Sequence, residues 1–275
     1  MLLLLLLACS DDPGLNPIPG NVGPGDTDTD TEIVITDPHA PVAVCSVDRN
    51  PVQPPFETAT FDGSQSYDPD GGELVEYDWR LVSAPAGNTE GLESPSAVST
   101  RFTPLLAGNY FVDLTVVNEA GLRSEPCSIT LQAVPGQDLW IELFWSSVDE
   151  DMDLHLLKPG GSPRTSGDCY FANCTVWGPD WGVIGDPSDD PILDLDDIPG
   201  TGPENINIEN PVDGTYTVFV HDYEWTGYHP EPTDVTVNIY FGGLQVYTTT
   251  RTVVGEDTDT YIAMIDTANG VVTPL

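Results

Sequence analysis

The chain has 275 residues, with 45 acidic against 7 basic side chains and a formal net charge of −38. That balance argues against nucleic acid or anionic lipid being held through basic patches, and it favours cations as partners. Hydrophobic residues make up 39% of the chain, enough for packed cores, so most of the charge reads as solvated surface.

A length of this size suggests one to three domains at roughly 100 to 200 residues each. The five cysteines divide by position into Cys9, the pair Cys45 and Cys127, and the pair Cys169 and Cys174. Two disulfides and one modified thiol suit an oxidising compartment, with buried free thiols as the alternative for Cys45 and Cys127.

Residues 1–8, M-L-L-L-L-L-L-A, fall well short of the roughly 20 apolar residues that span a bilayer as a helix, and read as the h-region of a signal peptide. Leu6-Leu7-Ala8-Cys9 resembles a bacterial lipobox. That resemblance implies cleavage before Cys9, a lipid on its sulfur, and membrane anchoring at about 0.8 kcal/mol per buried CH₂. The positive n-region of such signals is missing, which a start upstream of Met1 would supply. Residues 9–41, rich in Asp, Pro, Gly and Thr and including D-T-D-T-D-T-E, read as a disordered acidic tether. About 32 flexible residues reach roughly 30 Å, more where proline and self-repulsion extend the chain.

Residues 42–134 carry short alternating runs at 42–45, 58–62, 74–82, 98–102, 108–117 and 127–133, separated by turn residues. Such spacing predicts a β-sandwich. F-D-G-S-Q-S-Y-D-P-D-G-G-E-L-V-E-Y-D-W-R-L (61–81) and G-N-Y-F-V-D-L-T-V-V-N-E-A-G (108–121) together resemble a polycystic kidney disease (PKD) domain, an immunoglobulin-like sandwich. The usual W-D-F-G-D-G continuation is replaced by Trp79-Arg80-Leu81-Val82. Tyr77 and Trp79 alternate with Asp78, so a large aromatic can fill the core while polar neighbours face out. Asp68-Pro69-Asp70-Gly71 is first of all a turn. Similarity to PKD domains that bind calcium there implies a second, weaker ion site at Asp68, Asp70 and Asn118.

After Pro135-Gly136-Gln137, residues 138–275 read as a second all-β unit with runs at 139–145, 152–157, 206–208, 215–221, 234–241, 245–251 and 261–266. Val, Ile, Tyr and Thr dominate, no long segment keeps a helical stripe, and Phe241-Gly242-Gly243-Leu244 signals a hairpin. Seven or so antiparallel strands make a sandwich of jelly-roll type. D-M-D-L-H (151–155), G-P-E-N-I (202–206) and G-T-Y-T-V (214–218) resemble bacterial secreted domains of unknown function.

Chemistry concentrates at V-D-E-D-M-D-L-H-L-L (148–157), where Asp149, Glu150, Asp151 and Asp153 lead into a strand carrying His155. Period-two geometry puts Asp151, Asp153 and His155 on one face and Met152, Leu154 and Leu156 on the other. Calcium takes six to eight oxygens, so further acids must join, and Asp194, Asp196 and Asp197 of an acidic loop with Glu204 are the candidates. Solvated acids are the bland alternative. His155 and His221 with Asp153 and Asp222 offer a zinc set, without a recognised zinc motif. Tyr170, Trp177, Trp181, Tyr223, Trp225 and Tyr228 crowd two loops. They offer flat faces for a sugar or peptide, or else pack as a minicore.

The expectation is an all-β, exported, lipid-anchored envelope protein at the outer membrane or cell surface. Its non-enzymatic second sandwich is calcium-stabilised and binds an extracellular glycan or protein in adhesion, envelope organisation or substrate capture. A purely structural spacer and a metal-dependent hydrolase are the alternatives. The chain carries no nucleophile elbow, phosphate loop or dinucleotide fingerprint.

Overall fold

The computed structural model describes residues 38–148, 150–176, 178–198, 200–223 and 232–275. Residues 1–8, Cys9 and most of the tether lie outside these, as do Asp149, Trp177, Trp225 and Tyr228. The described chain is all-β apart from one four-residue helix, and none of its helices is long and apolar enough to cross a membrane.

The first sandwich packs two three-stranded sheets. One holds β1 (Ser46–Val47), β2 (Ala59–Asp62) and β4 (Ser99–Phe102); the other holds β3 (Leu74–Ser83), β5 (Gly108–Asn118) and β6 (Cys127–Ala133). Alternation drives it: along β5 every second residue from Tyr110 to Asn118 is buried. Phe61, Trp79, Phe102, Tyr110, Leu114 and Leu131 interlock between the sheets, each worth about 1.5–3 kcal/mol by burial. The Trp79 indole N–H donates to the Ala97 carbonyl at 3.1 Å, so burial leaves no orphan donor. A Cys45–Cys127 disulfide joins the chain ahead of β1 to β6, closing a loop that in the chain-entropy picture is worth roughly 4 kcal/mol.

The second sandwich has two five-stranded antiparallel sheets. One runs β10 (Ile192–Leu195), β11 (Glu204–Ile208), β7 (Leu139–Trp145), β13 (Thr233–Phe241), β14 (Leu244–Val253). The other runs β16 (Val271–Pro274), β15 (Thr258–Asp266), β12 (Thr215–Tyr223), β8 (Asp151–Leu157), β9 (Asp168–Cys169). Gly242 and Gly243, both at positive φ, make the two-residue turn between β13 and β14. α1 (Phe171–Cys174) follows β9, and a Cys169–Cys174 disulfide spans it.

β7, L-W-I-E-L-F-W, is covered on both faces. Leu139, Ile141, Leu143 and Trp145 enter the sandwich core. Trp140 on the other face clusters with Tyr240 and with Ala107 of the first sandwich. Beside them, fully buried Glu142 accepts from the Ala107 amide (2.6 Å), the Trp140 indole (3.0 Å), the Tyr240 hydroxyl (3.0 Å) and Asn238 (3.4 Å). Phe144 lies against Gly87, whose positive φ and close approach leave no room for a side chain. The two sandwiches thus share a packed, hydrogen-bonded contact.

Candidate metal centre

All seven residues of β8 are buried, its acids included. Met152, Leu154 and Leu156 enter the core as the alternation requires, which sends Asp151, Asp153 and His155 to the opposite face. The acids are buried because of how the sheet ends. β9 pairs only with Leu156 and Leu157, so the earlier part of β8 has no strand along that side. A bare edge leaves backbone donors to satisfy. Glu204, at the start of β11 in the facing sheet, reaches this edge, and its Oε2 accepts the Leu154 amide at 2.7 Å.

This bond brings Glu204, 1% exposed, beside Asp153, 2% exposed. Asp196, on the exposed chain after β10, completes a trio: one carboxylate oxygen each from Asp153, Asp196 and Glu204 lies within 4.8 Å of the others. Among the described residues no other group of three such side chains converges in this way. Asp151 stands close enough to feel Asp196 and Asp197, while Asp197 accepts the Gly202 amide at 2.7 Å.

Burial first, then the Asp151 and Asp196 charges, push Asp153 up to about 8. Burial and the charges of Asp196 and Asp197 push Asp151 up to about 6. Glu204 is raised well above its usual range, mainly by burial, and Asp196 rises for the same reason. Among the described residues no donor reaches Oδ1 of Asp151, Oδ2 of Asp153 or Oε1 of Glu204. Arg164 lowers Asp153 slightly, but its guanidinium is held by Asp259 at 2.8 Å. Buried carboxylates in this state need protons or a cation. Two oxygens on one calcium ion, each about 2.3–2.6 Å from it, lie at most about 5 Å apart, so the trio is spaced for one hard ion.

Asp194 and the zinc set are placed differently. Asp194 belongs to β10 rather than to a loop; it is bonded to Asn207 at 2.5 Å and does not join the trio. The zinc set is not assembled. Asp222 pairs with Met152 across β8 and β12, on the opposite sheet face from Asp153 and His221, which pair with each other. His155 Nδ1 bonds Asp168 at 2.8 Å, and its ring lies between Tyr170 and Phe219, with centroids at 4.8 and 4.3 Å. His221 Nδ1 bonds Asp259 at 2.8 Å and is bonded by Arg164. Burial, followed by the Arg164 charge, lowers the His221 pKa.

Sequence reasoning missed Asp168, Arg164 and Asp259. Asp168 precedes Cys169, and its neighbour's place in a disulfide with a sequence separation of five was the available signal.

The expected aromatic surface is redistributed. Trp181 is 2% exposed, donates its indole N–H to the Ser166 carbonyl at 2.8 Å, and packs against Tyr216. It is core, not a binding face, because the chain after the disulfide loop folds back over the sandwich. Tyr170 is half-buried against His155. Tyr223 is 40% exposed and meets Phe171 edge to face at 5.6 Å. These two with Ile198 wall a pocket of about 200 Å³, which Asp151 and Asp153 also line among the described residues.

Comparison with known proteins bears on the first sandwich. Residues 48–130 match the K319L-like PKD domain. Among solved structures, the PKD1 domain of Vibrio anguillarum Epp is 26% identical over 35% of this chain and 96% of that one, with a TM-score of 0.27. The PKD1 domain of the Vibrio cholerae metalloprotease PrtV is 23% identical over 34% and 98%, with a TM-score of 0.26. A carbohydrate-binding module of the β-sandwich superfamily is 12% identical over 83% and 85%, with a TM-score of 0.29. No curated protein matches the chain.

In the PKD-like sandwich, Asp68-Pro69-Asp70-Gly71 forms the expected turn, with Gly71 at positive φ and the Asp70 amide on Asp68 Oδ1 at 2.9 Å. The second ion site is not assembled there. Both Asp70 oxygens are taken by His39, through its amide at 2.6 Å and its ring at 2.8 Å, and Asp68 Oδ2 accepts from Asn118 at 2.9 Å. Each carboxylate oxygen of Asp68 and Asp70 accepts a hydrogen bond there.

Proposed function

We propose that residues 138–275 form a calcium-dependent binding module in an exported, lipid-anchored envelope protein. Asp153, Asp196 and Glu204 would hold the ion with Asp151 at its side, and the PKD-like sandwich and tether would present the module to an extracellular glycan or protein. The observation that carries this reading is the convergence of three carboxylate oxygens within 4.8 Å of one another, with unpartnered buried oxygens on Asp153 and Glu204. Bound calcium supplies charge compensation. The chain's own residues orient it, Glu204 by its bond to Leu154. Export is supported by the two disulfides and by the lipobox-like Leu6-Leu7-Ala8-Cys9.

The test is calorimetric titration of calcium into the full chain carrying Cys9→Ser, with thermal unfolding in calcium and in chelator. A ligand confined to the folded state stabilises it by RT ln(1 + [L]/Kd), so heat and melting shift should appear together. Absence of both would leave the acids protonated or solvated and end the calcium reading.

A further inference from the structure

The pocket beside the acids is unlike a simple ion cage. A closed structural site would surround its ion with protein oxygens, yet Asp151 and Asp153 line an open pocket walled, among the described residues, by Phe171, Ile198 and Tyr223. Ile198 and Tyr223 are 47% and 40% exposed, so the rim is open. Asp151 Oδ1 and Asp153 Oδ2 are unpartnered on side chains that are 3% and 2% exposed. The pocket therefore joins an apolar, aromatic wall to a floor of buried oxygens awaiting a cation.

We infer that this pocket binds a neutral saccharide, two adjacent hydroxyls completing the coordination of the ion and an apolar ring face resting on Tyr223 and Phe171. This deepens the calcium reading and rests on it. Three converging carboxylates leave ligand positions vacant on an ion that takes about six to eight oxygens. Asp153 belongs to both the trio and the pocket, so those positions face the opening. A vicinal diol supplies two oxygens in a chelating pair, and the C–H face beside it suits an aromatic wall. At about 200 Å³ the cavity admits one small ring, since pockets for drug-sized ligands run from about 300 Å³ upward. Anionic sugars are disfavoured by Asp151, Asp196 and Asp197 around the floor and by a chain at −38. An ammonium ligand would instead compete with the ion for Asp153.

The test uses the full chain with Cys9→Ser, loaded with Tb³⁺ or Ca²⁺, and methyl glycosides of mannose, fucose and galactose as probes. Tb³⁺ luminescence lifetimes in H₂O and D₂O count the waters on the ion. At least about two should be present, and a binding sugar should displace about two. Sugar binding should vanish in chelator and on methylation of one hydroxyl of the pair. Tyr223→Ala should weaken sugar binding about tenfold while calcium affinity stays within about twofold. An ion that binds while no probe displaces its waters overturns the saccharide inference alone; failure of the ion to bind overturns the calcium reading as well. Sugar binding that survives or improves in chelator also overturns the inference.

Discussion

Glu204 and Leu154 are joined across the second sandwich, the carboxylate of one sheet accepting at 2.7 Å the amide left bare at the strand edge of the other. The bond assigns Glu204 two duties, one to the backbone and one to the acid trio, and they can be separated. Glu204→Gln keeps an oxygen for the Leu154 amide but removes a charge that Asp153 opposes. Calcium affinity should fall by at least the 10- to 100-fold seen for outer-shell changes at metal sites. Melting in chelator should stay level or rise. Calorimetry and thermal unfolding check this, and a variant that melts much lower in chelator would show that the negative charge itself is needed at the edge.

Glu142, at the contact between the sandwiches, is pushed up to about 7 by burial, against four hydrogen bonds that pull it down. A carboxyl raised on folding contributes most below its unfolded pKa, and that contribution is lost as pH climbs through the folded one. The window here runs from about 4.5 to about 7. Glu142→Gln stays neutral throughout, so the stability of wild type relative to the variant should drop across this window by on the order of 3 kcal/mol. Denaturant titrations in chelator at both ends of the window measure it, and a difference independent of pH would refute the raised pKa.

Trp181 is tested by stability rather than by ligand. Its indole fills the core and bonds Ser166, so Trp181→Ala should cost about 3–5 kcal/mol. Calcium affinity measured well below the variant's melting temperature should be retained. An exposed binding residue would give the reverse pattern.

The PKD-like turn should be silent toward calcium. Asp70 is occupied by His39 and Asp68 by Asn118. Asp68→Asn and Asp70→Asn should therefore leave the calcium isotherm of the full chain unchanged, with one ion bound. A second binding event lost in either variant would restore the ion site at that turn.

Strands were legible where residues alternate or run apolar between turn residues: 127–133 and 139–145 coincide with β6 and β7. β10 was not, because Asp194, Asp196 and Asp197 hide the buried Leu193 among acids that read as loop. The acid site was half legible. Asp153, Asp196 and Glu204 were identifiable by type, but strand alternation alone cannot choose Asp196 over Asp194, two residues apart; the pairing of β10 with β11 slips at Asp194, which bonds Asn207, and Asp196 lies beyond the strand end. Trp181 could be binding surface or buried minicore from its loop setting among proline, glycine and aspartate, and only tertiary folding decides for the core. His155 read as a histidine more at home beside a carboxylate than on a metal, and it is bonded to one, but that partner, Asp168, sits on a strand two residues long that no periodicity can announce.

The contact at Glu142 also has a mechanical meaning. Glu142 pairs across the sheet with Asn205, whose chain neighbour is Glu204. A load carried by the PKD-like sandwich through the Ala107 amide arrives one strand away from the acid floor. Pro135, Gly136 and Gln137 alone would make a swivel; this carboxylate and the Trp140–Tyr240 cluster give the two sandwiches a second point of attachment.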